Sequence, residues 1–242
     1  MKKSNKILLI LLAAMFGFLI TEQVILRYKY LNSDITPVEK FDAWYYEEYK
    51  LPPVKHVRIE GIADCQVYTA PSGKLLLEKR AQHYADYTIA GDTVILKNYI
   101  AAQHDANYKL THSPQEIILY VPAGCDITVK NSTISLKGDT ISSKAVAYHI
   151  TLDYSEVYTR SYSYRDTVNR YFDTMLITAT NKSGVLLDKN DFFTGVDVQL
   201  QNSFINDLKA KIGNIHVLAD SNSTVVVNGN NITKLNPAGI RK

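Results

Sequence analysis

The residues of this chain that could do chemistry are scattered, and few stand at the spacings that chemistry needs. The six histidines, His56, His83, His104, His112, His149 and His216, form no HExxH and no Cys–His cluster. "HDANYKLTHSPQE" puts His104, Asp105 and His112 in one loop, where imidazole and carboxylate could hold a transition metal. A solvated loop is the plainer reading. "LLDKNDFF" offers Asp188, Asn190 and Asp191, the alternating oxygen ligands of half a calcium loop, but the Gly and distal Glu of such a loop are missing. A solvated turn is again plainer. A glycoside-cleaving pair would need two carboxylates facing one cleft. Asp126, Asp153 and Asp197 flank strand-like runs, yet they stand 6, 2 and 6 residues before a recurring serine, so they do not share one phase. Ser–His–Asp and phosphate-loop patterns are absent. The residues therefore point to no catalytic site, no metal and no cofactor, and the expectation is a protein that is not an enzyme.

The elements that would position any site come next. In "CDITVKNSTISLKG", Ile127 and Val129 alternate with polar residues, as do Ile134 and Leu136, but the alternation skips a beat at Asn131-Ser132. The same break returns at Ser155, Ser183, Ser203 and Ser223, at intervals of 23, 28, 20 and 20 residues. An aliphatic residue follows two places later each time: Ile134, Val157, Val185, Ile205 and Val225. A repeat near 20 residues with two or three short strands implies stacked rungs. The Asn-Ser positions read as corners, because Asn tolerates left-handed backbone and one corner residue resets the inward face. The expected corner ladder is Asn131, Ser132, Ser155, Ser183, Asn202, Ser203, Asn222 and Ser223. The expected fold class is all-β, a right-handed parallel β-helix or solenoid over residues 54–242. An antiparallel sandwich explains the alternation but not the fixed phase of Asn-Ser.

The N-terminus carries Lys2, Lys3 and Lys6 and then 14 apolar residues, Ile7 to Ile20. At about 1.5 Å per residue these cover roughly 21 Å of a hydrocarbon core about 30 Å thick, and extension to Leu26 completes the span. No small-residue cleavage site follows, and the first Cys is Cys65, so there is no lipoprotein box. The expectation is one N-terminal transmembrane helix, an uncleaved signal anchor over residues 7–26. Residues 1–6 form a cytoplasmic tip and residues 27–53 a juxtamembrane linker. The protein would then be a single-pass inner-membrane protein, N-terminus cytoplasmic and C-terminal domain periplasmic. A cleaved signal peptide is the alternative. The net charge of +3, without a basic stripe, excludes nucleic acid as a partner.

The phrases "VKHVRIEGIADCQVYTAPSGKLLLEKR", "GDTVILK" and "EIILYVPAGCDITVKNSTISLKGD" resemble the head domain of auto-transporter adhesins, the GIN domain. Ile59 to Val67, Val94 to Leu96 and Ile118 to Leu136 carry the likeness, with Val121-Pro122 at the family's "vp" and Asn131-Ser132 near its Gly-Ser. The resemblance implies a right-handed β-helical fold, an extracytoplasmic location and no known catalytic residues. The family's "adhesin" label implies binding.

The functional expectation is accordingly a binding or scaffolding role in the cell envelope. The ligand would be a glycan or a protein, met through the ladder faces and the Tyr-rich "SYSYRDTVNRYFD". The alternatives are a carbohydrate-processing β-helix enzyme and an envelope signalling component. Two modifications are expected to be possible. Cys65 and Cys125 stand in similar phrases and, if their strands stack, lie within disulfide reach; otherwise they are small buried hydrophobes. Four Asp-Thr-apolar triplets, at Thr93, Thr140, Thr167 and Thr174, resemble an O-glycosylation signal of exported proteins in some Gram-negative bacteria. Asp-Thr is also an ordinary turn-to-strand pair.

Overall fold

Alternating apolar residues bury one face of each strand, and in the computed structural model these strands share one apolar core. The structure describes residues 15–18, 20–24, 46–79, 85–98, 117–159, 168–233 and 235–236. Residues 46–242 make one compact unit and residues 1–45 another. The first strands are β1 (Tyr46–Lys50), β2 (His56–Glu60), β3 (Cys65–Thr69), β4 (Lys74–Glu78), β5 (Ala85–Ala90) and β6 (Thr93–Asn98). Then come β7 (Ile117–Val121), β8 (Asp126–Lys130), β9 (Thr133–Leu136), β10 (Val146–Asp153), β11 (Glu156–Tyr158) and β12 (Arg170–Thr180). The last are β13 (Gly184–Leu186), β14 (Asp191–Gln201), β15 (Phe204–Asn206), β16 (Lys211–Ala219), β17 (Thr224–Val226), helix α1 (Gly229–Ile232) and β18 (Leu235–Asn236).

These strands form two nine-stranded sheets. Sheet A runs β1-β4-β7-β3-β9-β11-β13-β15-β17, and sheet B runs β18-β16-β14-β12-β10-β8-β2-β6-β5. This corrects the expected right-handed parallel β-helix. Both sheets are mixed and open, with β1–β4, β4–β7 and β5–β6 antiparallel. Strands β2 and β3 do not stack in chain order. They intercalate, β2 between β6 and β8 and β3 between β7 and β9. The physical reason is that a period of two reports which face is buried, not which strand lies alongside or in which direction. The β5–β6 hairpin shows the local side of this: its two-residue turn needs positive φ, which Gly91 supplies at +64°.

From β8 onward, a strand of sheet B leads through a corner into a short strand of sheet A, and like strands pair in parallel. The corners hold positive φ at Asn131 (48°), Tyr154 (49°), Asn181 (55°), Lys182 (62°) and Asn202 (49°). These left-handed residues switch side-chain parity between the sheets. Ile134, Val157, Val185 and Ile205 then lie fully buried in one inward line. Val225, expected to complete it, is 38% exposed, because β17 is the edge strand of sheet A.

The linker expected over residues 27–53 gives way at Tyr46, where β1 begins and pairs with β4; residues 27–45 lie outside the described residues. The expected membrane anchor is also corrected. Among the described residues no helix is long and apolar enough to cross a membrane. The described helical residues near the N-terminus, 15–18 and 20–24, span roughly 15 Å at the helical rise, about half a hydrocarbon core. The single-pass inner-membrane placement is therefore not supported. The rest of residues 7–26, and the tip 1–6, lie outside the described residues.

Candidate binding site

The corner serines form a continuous hydrogen-bond ladder. Ser132 N donates to Ser155 Oγ (3.2 Å), Ser155 N to Ser183 Oγ (3.1 Å), Ser183 N to Ser203 Oγ (3.2 Å) and Ser203 N to Ser223 Oγ (3.2 Å). At the other end Ile62 N donates to Ser132 Oγ (2.9 Å). Each hydroxyl in turn donates within its own corner, as Ser155 Oγ does to Asp153 O (2.8 Å). Asp220 closes the ladder. It accepts from Asn202 N, Asn222 N and Ser223 Oγ, and these bonds hold its carboxyl below the usual range. Asn131 and Asn202 take the left-handed corner positions. This is architecture: the hydroxyls are spent on backbone groups and face no cleft.

The two-carboxylate and calcium-loop readings resolve differently. Asp188 and Asp191 do not form a solvated turn. They clamp Arg170, which is 5% exposed, with Nε donating to Asp191 Oδ1 (2.7 Å) and an NH2 group to Asp188 Oδ2 (3.1 Å). The guanidinium occupies the place a cation would take. Burial pushes the Asp191 carboxyl up to about 6, against the opposing pull of Arg170. Asp126 lies between His56 Nδ1 (3.3 Å) and His149 Nδ1 (3.4 Å), and Asp197 faces His216 Nδ1 (3.3 Å). Asp153 accepts from Asn181 Nδ2 (2.7 Å). These groups stand on the outward face of sheet B, and no two of the three carboxylates meet in a cleft. His104, Asp105 and His112 lie outside the described residues, and among those described no group of three His, Cys, Asp or Glu side chains is arranged to hold a metal ion.

Cys65 and Cys125 are free and buried. They are not ladder neighbours: Cys65, on β3 in sheet A, pairs with Ile134, while Cys125 precedes β8 in sheet B. Burial raises both thiols, Cys125 to about 11. Thr140 is exposed, Thr93 and Thr174 are half-buried, and Thr167 lies outside the described residues.

The cleft that the residue-by-residue reading missed lies on sheet B, at the start of β12, β14 and β16. Tyr171, Phe192 and Lys211 share one outward level across these strands. The Tyr171 and Phe192 rings stack with centroids 5.0 Å apart, and the Lys211 ammonium sits 4.2 Å from the Phe192 centroid. Behind them Phe172 stacks on Phe193 in the core at 4.7 Å, and Phe172 meets buried Tyr148 at 6.2 Å. Both faces of the sheet are therefore aromatic here. Beyond this level ladder pairing skips Asp173, Thr194 and Gly213 together, and the register against β10 slips by one residue between Val146 and Tyr148. Such irregularities re-aim side chains. At Gly213 a Cβ would stand 2.6 Å from the Thr194 carbonyl oxygen, so only glycine lets the two backbones approach this closely. On the far side, Asp139 bridges Tyr171 through their backbones and brings the 3-10 turn Ser142–Lys144 to the cleft wall. The open cleft of about 350 Å³ is lined by Ser142, Ala145, Tyr171, Phe192, Thr194 and Lys211, among others.

The signal for this site was in the sequence. "RYFD" and "NDFF" repeat an aromatic pair 21 residues apart, and Lys211 follows Phe192 by 19, close to the serine period. Of the Tyr-rich segment, residues Arg170 to Asp173 are the start of β12, and residues 161–167 lie outside the described residues.

No family model matches the chain, and no curated protein matches it. The resemblance to the adhesin head family thus has no family model behind it. Among solved structures, the chain is similar to a candidate adhesin from Parabacteroides distasonis, at 9% identity and a TM-score of 0.40, over 74% of this chain and 68% of that one. A candidate lipid-binding protein from the same species is similar at 7% identity and 0.40, over 75% and 72%. A candidate adhesin from Parabacteroides merdae is similar at 9% and 0.40, over 74% and 79%. Likeness at this level carries no argument about function.

Proposed function

We propose that the protein is a non-catalytic binding module that takes a glycan at the aromatic cleft of sheet B. The observation that supports this is the composition of the cleft: stacked Tyr171 and Phe192 with apolar Phe172, Phe193 and Ile212 behind them, the hydroxyls of Ser142 and Thr194, and one ammonium, around about 350 Å³. Small-ligand sites are mainly apolar concavities with a few convergent polar groups, and this volume falls at the lower end of their range. The outward ring edges give a sugar apolar contact, and the hydroxyls and ammonium meet its polar edge. Among the described residues the cleft lining contains no carboxylate or imidazole to act as acid or base, so the reading is binding rather than turnover.

The test is a glycan array with the purified full chain, followed by titration of the best ligand against Tyr171→Ser and Phe192→Ser. Loss of affinity by tenfold or more in both variants, with circular dichroism and His216→Ala binding unchanged, is the expected result. Undiminished binding by both variants, or an array with no ligand, would remove the cleft from the account.

A further inference from the structure

Resting on that reading, we propose that the cleft selects an acidic carbohydrate, a uronic-acid unit, and that Lys211 recognises its carboxylate. The first support is the state of Lys211. It is exposed, and among the described residues it has no ion-pair partner. Three lysines of the same unit are committed to carboxylates, Lys55 to Asp92, Lys74 to Glu48 and Lys97 to Glu60, whereas Lys211 belongs with those that are not. The Lys211 ammonium instead rests over the Phe192 ring, which holds it at the cleft mouth and leaves its charge for a ligand.

The second support is the space around it. Lys211, Thr194 and Gly213 all line the cleft, so the ammonium and the Thr194 hydroxyl are both open to a ligand in it. A carboxylate placed there meets the ammonium and can accept from the Thr194 hydroxyl, a charge-assisted arrangement. The next level along the strands, Thr174, Gly195 and Asn214, again puts polar side chains either side of a glycine. That level continues the polar surface beyond the aromatic rims, as a second sugar unit would need.

The third support is shape. The cleft is shallow and open, so sugar rings bearing hydroxyls can lie in it with their outer edges in water. An acyl chain would need an enclosed apolar channel to be desolvated to the same degree. One anion-binding cation with hydroxyls beside two aromatic rims therefore favours a sugar acid over a fatty acid.

The experiment uses three probes on the full chain: trigalacturonic acid, its fully methyl-esterified form and lauric acid. The ester keeps every ring and removes every charge. Calorimetric titration at 50 mM salt should show the acid binding about five- to tenfold more tightly than the ester, a preference that shrinks at 300 mM salt. Lys211→Met keeps the stem and should bind acid and ester alike, whereas Lys211→Arg should restore the preference. Equal binding of acid and ester by the native chain, or a preference that survives Lys211→Met, would overturn the inference. So would no binding of the acid, or tighter binding of lauric acid. If acid and ester bind alike and both are lost in Phe192→Ser, the selectivity falls while the glycan-binding cleft stands.

Discussion

Removing one hydroxyl from the middle of the serine ladder, Ser155→Ala, tests whether the corners hold the two sheets together. Ser155 is 2% exposed, so water cannot replace what is lost. Its Oγ is the acceptor for Ser132 N–H at 3.2 Å, and its own proton goes to Asp153 O at 2.8 Å. The carbonyl of Asp153 keeps a second donor, Asn131 N at 3.0 Å, so that loss is small. The amide of Ser132 is left buried and unpaired, which costs about 1–3 kcal/mol. With the lost hydroxyl bond, the whole change comes to about 1.5–3.5 kcal/mol, or a fall in Tm of roughly 5–12 °C for a chain of this size. Urea unfolding followed by circular dichroism measures it. Ser132→Ala orphans a different amide, that of Ile62, but the two serines are hydrogen-bonded in one ladder, so the double variant should depart from additivity by about 0.5 kcal/mol or more. Thr128→Ala, on the exposed face of β8, should cost under about 0.5 kcal/mol. A Ser155→Ala loss no larger than that of Thr128→Ala would refute the claim that these hydroxyls carry the corners.

Three further outcomes are expected. Ile205→Ala should cost about 2–4 kcal/mol, while Val225→Ala should cost under about 1 kcal/mol, since only the first side chain is fully buried; denaturant midpoints give both values, and equal losses would show β17 to be covered. Burial makes Asp191 hold its proton more tightly when folded, near pH 6 against 3.8, so its contribution to stability should fall as pH rises from about 4 to 6. Chemical denaturation across that window should show the slope in the native chain and a shallower one in Asp191→Asn; parallel curves would contradict it. Both cysteines should stay unreactive to a thiol reagent in the folded protein and yield two thiols after unreduced denaturation, with fewer than two indicating a disulfide.

Much of the architecture was legible because it is local. Asn131, Asn202 and the serines beside them mark corners, since left-handed backbone and a side-chain acceptor are properties of one or two residues. The inward aliphatics of β9, β11, β13 and β15 follow from the parity that each corner resets. What lay beyond reach depends on which strands become neighbours. The phrases of β2 and β3 alternate as well as any later strand, but their places between β6 and β8 and between β7 and β9 come from long-range pairing that a period of two does not encode. Val225 has the same sequence phase as Ile205 and differs in standing on the last strand of its sheet, with no strand among the described residues stacked beyond it.

The same division runs through the site. Asp188 and Asp191 read as a solvated turn because their partner, Arg170, is 18 and 21 residues away and arrives only when β12 registers against β14. Tyr171, Phe192 and Lys211 are three unremarkable residues in sequence, about one repeat apart. Side-by-side strands bring such residues to roughly 5 Å, close enough for rings to stack and for an ammonium to settle on one of them. Sequence by itself determined the all-β character, the phase of the corners and the identity of the buried faces, because each rests on single-residue backbone preference and side-chain polarity. Tertiary structure alone decided strand order, the open edges and the cleft, because these rest on register between segments that the chain keeps far apart.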